Sequence, residues 1–381
     1  MRRAIAVGCL LAVVAVACGG GAAGHEGGAA PPGEASTPPG GGQSTLTSAP
    51  STFPASPRPG FIYRRGSQLH LDGEQYRFLG IVPFPFTQTF AVEGLRDLFG
   101  SLRPNSVISF YGTEDFAIKD GRRDWSLLDE MLRAARQAGH RVVLGLEDGN
   151  LPCDGSGSAK SVSWYAGGYR TEVCRGYKGL PLLRTYREWV REIVGRYKDS
   201  PAVAWWAPIG EPRVPCQSAR VLRRFFDDVG AEIRRLDPDH LIASGHWGGS
   251  ACGDPRQADY RLIHSSPYID IADYHDYNYD DDPLPAELRV DLRIARELSK
   301  PLVIGDGSVL ARAGGGPDPE GQDCVSLEAR RDKFKAKLDA QFAAGVSGRV
   351  AWAYVDTPSG LCDYDIGPGD PLLALLRDYP L

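Results

Sequence analysis

Eight short apolar runs, separated by longer amphipathic stretches, recur between residues 77 and 354, and this alternation most limits what the chain can fold into. The runs are Arg77–Ile81, Ser106–Phe110, Arg141–Leu146, Val203–Ile209, Leu241–Ser244, Ile269–Tyr274, Leu302–Ile304 and Arg349–Tyr354. Helical periodicity lies between them at Val92–Leu102, Ser126–Ala138, Leu182–Tyr197, Ser218–Leu236, Pro285–Leu298 and Leu327–Ala344, with a weaker fifth connection near Ala258–Ile263. Strand followed by helix, repeated in this way, fits a parallel α/β fold better than a sandwich or a bundle. Eight such units match a (β/α)8 TIM barrel with loop insertions. Phe61–Tyr76 reads as a β-hairpin turning at Asp72-Gly73, placed to plug the bottom of the barrel.

The N-terminal part is built differently. Arg2 and Arg3 precede an apolar run from Ala4 to Ala17 that is too short to span a bilayer, so residues 1–18 read as an export signal. Ala15-Val16-Ala17-Cys18 resembles a bacterial lipobox, in which Cys18 is lipidated and becomes the mature N-terminus; the alternative is cleavage after Ala17 and free secretion. Residues 19–59 are almost all Gly, Ala, Pro, Ser and Thr and form a flexible linker, leaving residues 60–381 as one extracytoplasmic domain, expected to be monomeric. With 42% hydrophobic and 24% charged residues the chain is an ordinary globular protein. Its net charge of -5, and the lack of a basic run interleaved with aromatics, exclude nucleic acid as a partner.

Setting aside Cys9 in the signal and Cys18 at the cleavage site leaves Cys153, Cys174, Cys216, Cys252, Cys324 and Cys362. Their spacing is not that of a zinc site, and in an exported chain an even set reads as disulfides. All six follow the C-terminal ends of predicted strands, where the chemistry of such barrels sits. Pairing each with its neighbour in chain order would brace adjacent loops around one cleft, although sequence alone leaves other connectivities open.

Several segments together resemble the retaining glycoside hydrolases of the cellulase and β-mannanase superfamily, especially family 5. They are Tyr76-Arg77-Phe78-Leu79-Gly80, Ser200-Pro201-Ala202-Val203-Ala204-Trp205-Trp206 leading to Gly210-Glu211-Pro212-Arg213, and Asp237-Pro238-Asp239-His240-Leu241-Ile242. His275 and Tyr277 after strand six, Lys300-Pro301-Leu302-Val303-Ile304-Gly305 before Asp306, and Trp352 on the last strand extend the match over nearly the whole domain.

The resemblance implies a β-linked glycan, mannan or glucan, as polysaccharide or oligosaccharide substrate, with no cofactor and no metal. It makes Glu211 the acid/base and Asp306 the nucleophile, with His275, Tyr277 and Trp352 holding the sugar. Retaining hydrolysis needs two carboxyls roughly 5 to 5.5 Å apart, one to protonate the leaving oxygen and one to attack the anomeric carbon. Glu211 is expected to have a raised pKa, through burial or a neighbouring like charge, so that it holds a proton. The chain departs from the family at three places. Asp306 stands where Glu is usual, one methylene short, so that Glu320 or Asp323 become substitutes to consider; Gly210 replaces the Asn that normally bonds the substrate 2-hydroxyl; and Ser109 falls near a position usually held by Arg. A non-catalytic glycan binder is therefore the rival class, and a purely structural envelope lipoprotein the third.

Among other residues, Glu147 is a candidate sugar contact or a salt-bridged structural group, and Asp273 reads as structural. Asp276–Asp280 with Glu287 imitates a calcium loop, but Asp281 stands where Gly is required, and a solvated acidic loop is the better reading. Trp164, Tyr165, Tyr169, Tyr177, Trp247, Tyr268 and Tyr279 crowd the loops, where flat faces suit sugar rings, and some of them must be core.

Overall fold

The computed structural model describes residues 57–84, 92–157, 159–277 and 282–381. The export segment 1–18, Cys18 and the linker as far as residue 56 lie outside the described residues, as do Asn278–Asp281.

Eight parallel strands form the barrel: β1 (Phe78–Pro83), β2 (Val107–Phe110), β3 (Arg141–Gly145), β4 (Val203–Ala207), β5 (Leu241–Ile242), β6 (Ala272–His275), β7 (Leu302–Asp306) and β8 (Gly348–Tyr354). They pair in the order β5-β4-β3-β2-β1-β8-β7-β6. Between β5 and β6 the ring closes through the Ala243–Ile271 bridge, the backbone bonds beside it and the Ile242 amide donating to Asp270 Oδ2. That seam explains why strand six begins later than its apolar run: Ile269 and Ile271 are buried, but the ladder with β7 starts at Ala272.

A main helix follows each strand: α1 (Val92–Ser101), α2 (Ser126–Gln137), α3 (Tyr186–Tyr197), α4 (Ala219–Leu236), α5 (Ala258–His264), α6 (Ala286–Glu297), α7 (Leu327–Ala343) and α8 (Pro371–Asp378), with a further short helix, Val162–Ala166, in the loop after β3. Their starts are chemically marked. Thr185 and Glu188 form a reciprocal capping box on α3, Ser326 caps α7, and Asp370 caps α8 with Pro371 in its first turn. The last of these was not among the expected helices.

Side chains alternate along each strand with period two. Leu79, Ile81, Ile108, Phe110, Val142, Leu144 and Trp206 pack outward against the helices. Phe78, Val82, Val107, Val143, Trp205, Leu241, Ile271, Val303 and Val350 fill the barrel interior. Its lower end is closed by Ile62, Leu69 and Tyr76. These come from a three-stranded antiparallel ribbon, Ile62–Arg65, Gln68–Leu71 and Glu74–Gln75. The expected turn at Asp72-Gly73 joins its second and third strands, and an additional turn at Gly66-Ser67 precedes it. No helix among the described residues is long and apolar enough to cross a membrane.

The six cysteines pair as Cys153–Cys174, Cys216–Cys252 and Cys324–Cys362, the neighbour-to-neighbour order. All three bridges lie on the rim above the C-terminal ends of the strands.

Candidate active site

At the top of the barrel β4, β6 and β7 deliver three side chains to one point. Glu211 follows β4, His275 ends β6, and Asp306 ends β7. A register shift between Tyr274 and His275 sets His275 directly opposite Asp306. His275 Nδ1 lies 2.7 Å from Glu211 Oε1 and 3.1 Å from Asp306 Oδ1. Carboxylate oxygens of Glu211 and Asp306 approach within 4.8 Å. Despite the missing methylene, this is the separation of a retaining pair and well short of an inverting one. Glu320 and Asp323 are exposed on the Cys324 loop, whereas Asp306 is buried against Glu211 and His275, so neither replaces it.

Each carboxyl is held from a second side. Tyr277 Oη donates to Asp306 Oδ1 at 2.8 Å, and Asn150 Nδ2 donates to Glu211 Oε2 at 2.8 Å. Asn150 reaches that position because the loop after β3 runs beside the loop after β4, with Gly210 N bonded to Glu147 O and Gly149 N to Gly210 O. The Cys153–Cys174 bridge anchors the same loop. Tyr177 Oη donates to Asp148 Oδ2 at 2.6 Å, fixing the turn from which Asn150 projects.

Glu211 itself adopts φ +46°, a left-handed conformation that costs a non-glycine residue about 1 kcal/mol or more. Its amide donates to Gly245 O at 2.8 Å. Gly245 also lies so close to β4 that a Cβ there would meet Ile209 O at 2.1 Å, so only glycine permits the approach.

The electrostatics differ from expectation. Burial pushes the Glu211 carboxyl up, but the hydrogen bond and charge of His275, the Asn150 hydrogen bond and the Arg213 charge outweigh it and bring it down to about 2. Burial raises Asp306 to about 6, with the Glu211 charge adding to the rise and His275 and Tyr277 opposing it. Burial would lower His275, yet the carboxylates of Asp306 and Glu211 hold its proton up to about 10. The acidic proton of the site thus rests on His275, across a 2.7 Å hydrogen bond from Glu211.

The remaining candidates separate into those at the cleft and those beneath it. Trp352 is half-buried on β8 and lies 5.1 Å from the Phe84 ring, centroid to centroid. Trp247 is 43% exposed, with the Arg213 guanidinium 4.8 Å from its ring centroid. Between them and Cys216 lies a cavity of about 90 Å³, bordered by Pro212, His246 and Asp259. Glu147 is buried, accepting from the Asp148 amide at 2.9 Å and lying 3.5 Å from Lys160 Nζ, so of its two readings the structure favours the salt-bridged one. Asp276 is not in a solvated loop: it is buried, 2.8 Å from Lys337 and 2.7 Å from Arg349, and Gln341 also donates to it. Trp164, Tyr165 and Tyr169 belong to the core. Tyr279 lies outside the described residues.

Sequence reasoning missed Asn150 and Tyr111. The Tyr111 ring occupies the space beside Gly210, where a Cβ would meet its Cδ1 at 2.5 Å, and it packs equally closely on Gly145. Asp273, beneath His275, is buried with Oδ1 unpartnered, and burial raises it to about 7 against the pull of His275.

Strands four and seven of a (β/α)8 barrel, presenting paired carboxyls within 4.8 Å, have the arrangement of a retaining glycosidase site. Comparison with known proteins narrows the likeness. No family model matches the chain. It is 25% identical over 267 residues to a probable mannan endo-1,4-beta-mannosidase C of Aspergillus terreus, covering 57% of this chain and 64% of that one. Among solved structures, an endo-1,4-beta-mannanase from Rhizomucor miehei superposes with a TM-score of 0.61 at 14% identity, over 83% of this chain and 97% of that one. A glycoside hydrolase family 5 mannosidase from the same organism gives 0.58 at 16% identity, over 84% and 96%. The chain spans between about half and two thirds of the length of the first curated relatives it matches. The curated relatives carry names within the superfamily that the sequence motifs resemble, and the solved structures share the barrel fold.

Proposed function

We propose that the protein is a retaining glycoside hydrolase acting on β-1,4-linked mannan or manno-oligosaccharides. The observation that carries this reading is the approach of the Glu211 and Asp306 carboxyls to within 4.8 Å at the ends of β4 and β7. The substrate class comes from the mannanases to which the chain is similar.

In the first step an Asp306 oxygen attacks the anomeric carbon while the bond to the departing oxygen breaks, and that oxygen takes a proton from Glu211. His275 supplies the proton to Glu211 across their 2.7 Å hydrogen bond, so His275⁺–Glu211⁻ and neutral His275 with protonated Glu211 are two states of one proton. Forming the glycosyl ester removes the Asp306 charge that holds the proton on His275, which favours this transfer as the bond forms. In the second step Glu211 takes a proton from water, the water oxygen attacks the anomeric carbon, and Asp306 leaves as carboxylate. Tyr277 holds Asp306 in line, while the partly exposed rings of Trp352 and Trp247 are available to pack on sugar.

The export segment, the Cys18 lipid anchor, the 19–59 stalk and the monomeric state belong to the same proposal. Disulfides at all six domain cysteines suit an oxidising compartment. Mass measurement of the mature N-terminus separates a lipidated Cys18 from a chain cut after Ala17.

The catalytic reading is tested by digesting a panel of β-linked glycans with the wild type, Glu211→Gln and Asp306→Ala. Oligosaccharide release from mannan by the wild type alone is expected. Binding without cleavage by the wild type would replace the enzyme with a glycan binder, and full activity in Asp306→Ala would reassign the nucleophile.

A further inference from the structure

Two of the three departures from the family pattern meet at one residue. Tyr111 follows β2 and continues the inward alternation of Val107 and Ser109. Its ring lies against Gly210 and Gly145, where an added Cβ on either glycine would meet Tyr111 Cδ1 at 2.5 Å. The volume that a side chain at position 210 would need is therefore filled from the neighbouring loop. Burial raises the Tyr111 phenol well above its ordinary value, and the charges of Asp306, Asp273 and Glu211 add to the rise, so it stays a protonated donor. Tyr111 remains part-exposed at the mouth of the barrel.

The attacking carboxylate reaches carbon 1 of the sugar, and the 2-hydroxyl sits on the next carbon. A donor beside Asp306 is therefore within reach of that hydroxyl. We propose that Tyr111 reads the 2-position of the sugar at the cleavage point, its phenol replacing the amide that an asparagine at 210 would provide. The assignment rests on the glycosidase reading for the location of the sugar. It makes Gly210 and Tyr111 one unit: the glycine exists so that the tyrosine can occupy its side, and the missing polar contact at 210 is supplied from β2.

The test compares kcat/KM for an aryl β-mannoside and its 2-deoxy counterpart in wild type and Tyr111→Phe. Phenylalanine keeps the ring that packs on Gly210 and Gly145, so the fold is unchallenged. The wild type should prefer the 2-hydroxy sugar by about tenfold or more, because contacts to this hydroxyl strengthen in the transition state. Tyr111→Phe should lose that preference by slowing only the 2-hydroxy substrate. An unchanged ratio overturns the proposal, since a packing role would slow both sugars alike. As a second measure, Gly210→Asn should be inactive through collision with the ring, and Tyr111→Ala combined with Gly210→Asn should recover discrimination; failure of the pair to exceed Gly210→Asn alone counts against the shared volume. If the wild type cleaves neither sugar nor any glycan of the panel, the glycosidase reading falls by itself. The two compounds are then titrated by calorimetry, and equal discrimination in wild type and Tyr111→Phe overturns this proposal too.

Discussion

Placing at position 306 the glutamate usual in the family the sequence resembles should damage the site, not repair it. Asp306 is 2% exposed, with its oxygen 3.1 Å from His275 Nδ1 and 2.8 Å from Tyr277 Oη. Asp306→Glu advances the carboxylate by about one bond length, about 1.5 Å. Directed at Glu211, that shortens an approach of at most 4.8 Å to at most about 3.3 Å. At an effective dielectric of about 20 the repulsion between the two charges rises by about 1.5 kcal/mol, which is about one pH unit. The Asp306 carboxyl, already raised to about 6, should then keep its proton to about 7. Because the nucleophile must be ionised, activity falls as pH drops through this value, so the acid limb of kcat/KM should move up by about one unit. The displaced oxygen also misses its line of attack, and a misplacement near 1 Å costs about a hundredfold in rate. The assay is the pH dependence of aryl β-mannoside hydrolysis for wild type and Asp306→Glu. A variant as fast as the wild type or faster, with its acid limb unmoved, would refute the reading that the shorter side chain already sets the working separation.

Three further outcomes follow from the structure. Asp276→Asn strands the buried charges of Lys337 and Arg349 and should cost about 3–5 kcal/mol, read as a fall in Tm of roughly 10 °C. Lys337 and Arg349 hold the Asp276 carboxyl at about 2, below its ordinary value, so its stabilisation is complete above about pH 4 and is lost as pH falls through about 2; a Tm gap between wild type and variant that persists below that range would contradict the assignment. Peptide mapping without reductant should return Cys153–Cys174, Cys216–Cys252 and Cys324–Cys362, and reducing them should lower Tm with a loss of about 3 kcal/mol per loop; other pairings would mean the rim is built differently. Chelation by EDTA should leave hydrolysis unchanged, because the His275 proton already lies between Glu211 and Asp306 where a cation would sit; activity lost and restored by a divalent cation would reverse that reading.

The barrel was legible because its signals are local. Alternating apolar positions and amphipathic stretches mark their elements to within a few residues, as with Val203–Ile209 expected and Val203–Ala207 found. Strand six was misplaced because Ile269 and Ile271 are buried without belonging to its ladder. Helix α8 carried a readable signal, Asp370-Pro371, in a segment too short for a periodicity count. That Glu211 and Asp306 would lie near each other was legible because each follows a recognisable strand in a segment that carries the resemblance. Asn150 and Tyr111 were not, since their roles arise where loops from different strands meet. The one hint for Tyr111 was a bulky residue after β2 facing glycines at 145 and 210, a large-against-small match visible only once strand neighbours are known. The lowered Glu211 carboxyl was equally out of reach, because it depends on His275 and Asn150 converging on its two oxygens.

The left-handed backbone at Glu211 separates what the molecule needs to stand from what it needs to work. A glycine there would take the same turn without strain and donate the same amide to Gly245. Drift toward greater stability would therefore erase this glutamate early, and a barrel that had stopped acting on its ligand would have little to hold it. Glu211→Gly should therefore leave the barrel standing at least as firmly while removing the carboxyl on which the proposed chemistry depends.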